Sequence, residues 1–120
     1  MLSGMTRGGD RDSEPLAGLG RYTGPATLIL SSMADGEKHG YALTKDIERF
    51  AGVRLAPGTL YEALARLEAQ GLIEAVPSSD RRRPYRLTAL GARSLGAQLA
   101  EQRRLADEGL RRLGRAEGIA

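Results

Sequence analysis

Apolar residues recur along the chain with two different periods. Between Pro25 and Asp35 they form a nearly continuous run, Leu28, Ile29, Leu30 and Met33. Thr23 or Gly24 stands as a helix cap before it, Pro25 suits the first helical position, and Asp35-Gly36 is a stop. From His39 to Phe50, Leu43, Ile47 and Phe50 fall at i, i+4 and i+7, with Thr44, Lys45 and Glu48 on the other side, which predicts a second helix. After a break at 52–57, Leu60, Leu64 and Leu67 repeat the pattern, and Gly71 supplies a left-handed stop to a third helix. The period then drops to two. Leu72 to Val76 is short and β-permissive, Pro77 to Asp80 is turn chemistry, and Tyr85-Arg86-Leu87 alternates, so a hairpin with a basic tip is expected. Thr88 caps a last helix, along which Leu90, Leu95, Leu99, Ala106, Leu110 and Leu113 recur at helical spacing.

Three helices, a hairpin and a long helix define a mainly α fold with a small β-hairpin, a winged helix-turn-helix followed by a long C-terminal helix. In that topology the third helix enters the major groove and the wing lies on flanking backbone. Similar modules also bind proteins, so the topology leaves open an interaction module whose basic wing takes an acidic partner. The expected organisation is a disordered tail at 1–20, the winged domain at 21–90, a dimerisation helix at 88–114 and a flexible tail at 115–120. The tail at 1–20 holds five Gly and mixed charges and too little apolar matter to offset chain entropy. Met5 is an alternative start to Met1.

Composition narrows the chemistry. Among 120 residues there is no Cys and no Trp, one Phe and one His. The core must be aliphatic, and disulfides, thiolate nucleophiles and Cys- or His-rich metal sites are excluded. No P-loop, GxGxxG, HExxH or GxSxG pattern occurs and no paired-carboxylate site is evident, so no catalytic residue, metal or cofactor is expected. No apolar run approaches the roughly 18 residues of a membrane span. A cytoplasmic protein without a membrane partner follows.

The net charge of +3 is unevenly distributed. Residues 1–24 sum to zero and 25–80 to −3, whereas 81–115 carry ten Arg against three acids. Clustering of this kind sets a strong local field and points to a polyanion.

His39-Gly40-Tyr41, Gly58-Thr59-Leu60-Tyr61 running into Leu64, Leu67-Glu68 and Gly71-Leu72-Ile73, then Arg81-Arg82-Arg83 and Tyr85-Arg86-Leu87-Thr88 with Gly91 occur in order at compatible spacing. Over about residues 25 to 113 the chain resembles PadR-type transcriptional regulators, and its single helix after the wing resembles the shorter members. The resemblance implies a homodimeric winged-helix repressor on double-stranded DNA with the last helix as dimerisation arm. It also implies that some members release DNA when a small aromatic or drug-like molecule binds between these helices. Two positions depart from the pattern: Ala56 stands where Ser or Asn often caps the third helix, and Pro84 where the wing strand often carries an aromatic or basic residue.

With Leu60, Leu64 and Leu67 facing the core, Gly58, Thr59, Glu62, Ala65 and Arg66 fall on the groove side. Thr59 can meet a phosphate or a thymine methyl, and Arg66 a phosphate or guanine. Tyr61 sits at the flank and either contacts phosphate or packs under the wing with its hydroxyl wet. Lys38, His39 and Tyr41, at the start of the second helix, are placed to touch backbone, His39 otherwise being a plain helix-start residue. Arg81, Arg82 and Arg83 repel one another at a loop tip unless phosphates or acids neutralise them, and Tyr85 lies beside them. On the last helix Leu95, Leu99, Gln102, Ala106, Leu110 and Leu113 form an approximate heptad opposed by Arg, the expected dimer seam. That seam carries no aromatic residue, so an effector, where one exists, is expected to be anionic or aliphatic, its identity open.

Overall fold

The computed structural model describes residues 24–79 and 81–116. The expected tail at 1–20, Thr23, Asp80 and the segment 117–120 lie outside them. Helix α1 (Pro25–Ser32), continued by a 3-10 turn (Met33–Asp35), is followed by α2 (Gly40–Ala51), α3 (Pro57–Ala69), β1 (Ile73–Ala75), β2 (Tyr85–Leu87) and α4 (Ala89–Ala116). This is a winged helix-turn-helix with a long C-terminal helix. The last helix runs two residues past the expected boundary at 114.

Helix α1 buries Thr27 through Leu30 and Ser32, so it is covered on nearly every side, and it touches α2, α3 and α4. Eight residues make a marginal helix in water, and burial stabilises it. Around it the core is aliphatic: Leu43 and Ile47 from α2, Leu60, Leu64 and Leu67 from α3, Ile73 from β1 and Leu95 from α4. A Leu or Ile buried this fully contributes about 1.5–3 kcal/mol. Phe50 departs from the expected stripe of α2. Ala51, Val53 and Leu55 close that corner of the core, and Phe50 lies outside it at 48% exposure.

The end of α3 is built as expected. Gly71 has φ 79°, Leu72 N–H donates to Leu67 O at 3.0 Å and Gly71 N–H to Glu68 O at 3.0 Å, the paired bonds of a left-handed helix terminator. The hairpin pairs Ile73 with Leu87, Glu74 with Arg86 and Ala75 with Tyr85 in antiparallel register. Pro84 precedes β2, where its missing donor costs no ladder bond, and its carbonyl still accepts from Val76 N–H at 2.9 Å. A pairing unforeseen in the sequence joins the wing to the helices. Lys38 N–H donates to Tyr85 O at 3.0 Å and Tyr85 N–H to Lys38 O at 2.9 Å, so β2 is hydrogen-bonded on both edges.

Thr88 ties the hairpin to α4. Its hydroxyl donates to Gly71 O at 2.6 Å and accepts from Gly91 N–H at 3.0 Å, capping the helix. Gly91 lies directly on the Leu72 carbonyl, with no room for a side chain. Within its 28 residues α4 buries only Gly91 and Leu95. At 1.5 Å per residue it is about 42 Å long, and it gives the molecule its long dimension of 59 Å against 30 and 29 Å.

Candidate nucleic-acid interface

Helix α3 divides cleanly into two sides. Leu60, Ala63, Leu64 and Leu67 are buried, and Gly58, Thr59, Glu62, Ala65 and Arg66 are exposed. Ala56 is the N-cap and makes no side-chain cap bond, while Pro57 occupies the first turn, where its missing N–H costs nothing. Arg66 donates through Nη2 to Glu62 Oε2 at 3.2 Å, one turn away on the exposed side.

The start of α2 faces the same region. Nδ1 of His39 accepts from Ala42 N–H at 3.4 Å, so His39 caps α2. Tyr41 is 66% exposed and Tyr61 59% exposed. Tyr61 is not tucked under the wing. Its ring and hydroxyl lie over Gly40, where even a Cβ would sit 2.9 Å from the hydroxyl oxygen. A hollow between α2, α3 and the wing is lined by His39, Tyr41 and Tyr61 together with Arg81, Arg82, Arg83 and Tyr85. Seven of the residues singled out in the sequence therefore meet at one place, beside the exposed side of α3.

Two expected contacts are arranged differently. The ammonium of Lys38 does not point outward: it donates to Ser32 O and pairs with Asp35 Oδ1 at 2.6 Å, clamping the end of α1. That hydrogen bond and the nearby positive charge hold the Asp35 carboxyl below its usual range. Lys38 thus meets the wing through its backbone, while its ammonium satisfies the Ser32 carbonyl at the end of α1. All three tip arginines are exposed, and Arg83 lies 5.6 Å from the centre of the Tyr85 ring and 4.0 Å from Glu68 on α3, bracing the wing.

Sequence reasoning passed over two further cations. Tyr41, Lys45 and Arg49 follow at four-residue spacing along the outer side of α2, and with Arg82 they line a second open hollow. The Lys45 ammonium stands 5.9 Å over the Tyr41 ring, and Arg49 pairs with Asp46. The four-residue spacing from Tyr41 was the available signal. Asp46 also accepts from the buried Ser32 hydroxyl at 2.6 Å, which fixes α2 against α1.

On α4 the expected seam needs one correction and one addition. Leu95 is 5% exposed and belongs to the core of its own domain, because α1 and the hairpin cover the first turns of the helix. Leu99, Gln102, Ala106, Leu110 and Leu113 are exposed, and Leu105, at 73% exposure, flanks them. Among the described residues no group of three His, Cys, Asp or Glu could hold a metal, and no helix is long and apolar enough to cross a membrane.

The sequence matches the Transcriptional regulator PadR-like family over residues 29–97. It is 45% identical over 83 residues to a transcriptional regulator of Mycobacterium tuberculosis, covering 67% of this chain and 73% of that one. It is also 45% identical over 78 residues to an uncharacterized 37.1 kDa protein of a Streptomyces fradiae transposon, covering 65% of this chain but only 23% of the length of that protein. A crystal structure of a PadR family transcriptional regulator from Eggerthella lenta superposes with a TM-score of 0.71 at 32% identity, covering 87% of this chain and 93% of that one. The fold is shared with Bacillus subtilis PadR in complex with operator DNA, with a TM-score of 0.54 at 24% identity over 62% of this chain and 45% of that one.

Proposed function

Because the chain belongs to the PadR-like family of transcriptional regulators, we propose that it is a cytoplasmic homodimeric repressor that binds a palindromic DNA operator through α3 and the wing. The observation that carries this reading is the shared hollow of α2, α3 and the wing, where tyrosines and the tip arginines stand beside the exposed side of α3. Helix termini, hydroxyls and guanidiniums of this kind position a protein on phosphates, while a helix in the major groove reads bases. The operator complex of the Bacillus subtilis protein lends the same fold to that role.

In this reading the winged domain spans 21–90 and α4 carries the dimer seam over Leu99, Gln102, Ala106, Leu110 and Leu113, joined by Leu105. An apolar stripe extending beyond its own domain needs a cover, and a second copy supplies one with matching spacing. Dimerisation presents two reading helices to two half-sites. A regulating ligand, where one exists, enters along this seam, which is supplied with Leu and Arg rather than rings.

A salt titration with random duplex DNA tests the reading. Release of counterions gives a slope of log affinity against log salt of about −0.9 per neutralised phosphate. Absence of duplex binding refutes it and restores the acidic protein partner. Light scattering tests the seam: the full chain is expected as a dimer, and Leu99→Gln with Leu113→Gln as a folded monomer.

A further inference from the structure

The exposed side of α3 carries a charged pair in its middle. With about 100° of turn per residue, Gly58, Thr59, Ala65, Arg66 and Ala69 all lie within about 60° of Glu62, and the buried Leu60, Leu64 and Leu67 lie opposite. Glu62 therefore marks the centre line of the surface that faces a groove. Its neighbours are small, so Glu62 and Arg66 stand above them as two long polar side chains, joined at 3.2 Å.

A carboxylate in that position meets a polyanion and is repelled by phosphates on either side. The repulsion is offset where the carboxylate accepts a hydrogen bond from a base, and in the major groove the cytosine N4 amino group is the matching donor. Arg66 fits the complementary demand, since a guanidinium pairs in two places with guanine O6 and N7. Four residues advance about 6 Å along the helix, between one and two steps of the 3.4 Å that separates stacked bases of one strand, so the two side chains reach base pairs one or two steps apart.

Resting on the DNA-binding reading above, we propose that Glu62 and Arg66 determine operator specificity, Glu62 by accepting from a cytosine amino group and Arg66 by pairing with guanine one or two base pairs away. In the free protein each holds the other extended over the α3 surface. On docking, both exchange that partner for a base edge, so the cost of separating the pair is recovered only at a site offering both bases.

The test is selection from a random duplex library with the full-length chain, its Glu62→Gln variant and its Arg66→Ala variant. Both positions are exposed, and melting curves check that the variants are folded. The wild-type protein is expected to enrich cytosine at one position of each half-site, with a guanine contact one or two base pairs away. Glu62→Gln should move that position to adenine, the base a Gln amide recognises, and leave the others in place. Its affinity for the wild-type consensus should fall about 5- to 150-fold, the range for one lost base contact. Arg66→Ala should relax only the guanine position. Recovery of the same consensus by all three proteins overturns the proposal, as does a Glu62→Gln variant that merely binds every duplex more tightly. A wild-type chain that binds duplexes without enriching a sequence overturns this inference alone. A chain that binds no duplex removes the DNA-binding reading as well.

Discussion

Replacing Gly91 by Ala should detach α4 from the hairpin. A Cβ at Gly91 would lie 2.0 Å from the Leu72 carbonyl oxygen and 3.0 Å from its carbon, against the 3.4 Å at which ordinary contact begins. The carbonyl cannot yield cheaply, because it accepts from Thr88 N–H at 3.1 Å, and Thr88 is held in turn by its hydroxyl bond to Gly71 O. Overpacking of this kind costs about 1–3 kcal/mol, and disturbing the Thr88 bonds adds about 1 kcal/mol each. The helix propensity gained by Ala returns only about 1 kcal/mol. The net loss is about 2–4 kcal/mol, which for a domain of this size lowers the melting temperature by roughly 8–30 °C. Gly96, five residues further along α4, is the matched control. Nothing lies within 4 Å of a Cβ built there, so Gly96→Ala should gain the propensity term and melt about 4–8 °C higher. Circular dichroism melts at one protein concentration compare the three chains. A Gly91→Ala protein that melts no lower than wild type would refute the reasoning, since the close approach would then not exist in solution.

Ala56→Ser should stabilise the fold by about 0.5–2 kcal/mol, because Ala56 is the N-cap of α3 and leaves its first amides without a side-chain acceptor; an unchanged melting temperature counts against it. Replacing Arg81 and Arg82 by Ala should weaken binding to all duplexes alike and reduce the salt slope by ~0.9 per lost phosphate contact. Arg83→Ala, which releases Glu68 and Tyr85, should lower hairpin stability; faster hydrogen exchange at Val76 and Tyr85 checks it. Lys38 and Arg54 hold the Asp35 and Glu48 carboxyls below their ordinary values of 3.8 and 4.5. Depressed carboxyls stabilise the fold above those values and cease to do so as the pH falls through the folded-state values beneath them. Melting temperature should therefore be unaffected by these two groups from pH 7 to 5 and fall below about pH 4, less steeply in Lys38→Met; equal profiles contradict the assignment. Planar hydrophobic dyes should bind the dimer seam weakly or not at all, and tight binding at one site per dimer in a fluorescence titration would show that rings are not needed there.

The helices were legible because their buried residues repeat at helical spacing, and the stop at Gly71 because few other residues adopt its left-handed backbone. Phe50 fits the same spacing yet lies outside, since periodicity gives the side of a helix but not where its neighbours end. Leu95 shows the converse: it belongs to a continuous stripe whose first turns face the domain and whose remainder does not, and spacing alone does not mark that change. The Lys38–Tyr85 pairing was invisible because it is made by backbone atoms over two residues. The inward turn of the Lys38 ammonium depends on the carbonyl of Ser32, which belongs to another element. The exposed positions of α3 followed directly from which Leu residues face inward.

The double edge of β2 has a mechanical consequence. Hydrogen-bonded to β1 on one side and to Lys38 on the other, and joined through Thr88 to α4, the wing cannot swing independently of the helices. The domain is then a stiff reading head on a lever, and compliance is confined to the lever. Beyond Gly96 about 30 Å of helix projects at 1.5 Å per residue, so a flexure of about 10° there displaces the far end by about 5 Å, more than one base step. In the proposed dimer the distance between the two heads would be governed by the straightness of the paired α4 helices, so bending them would retune the spacing without touching either head.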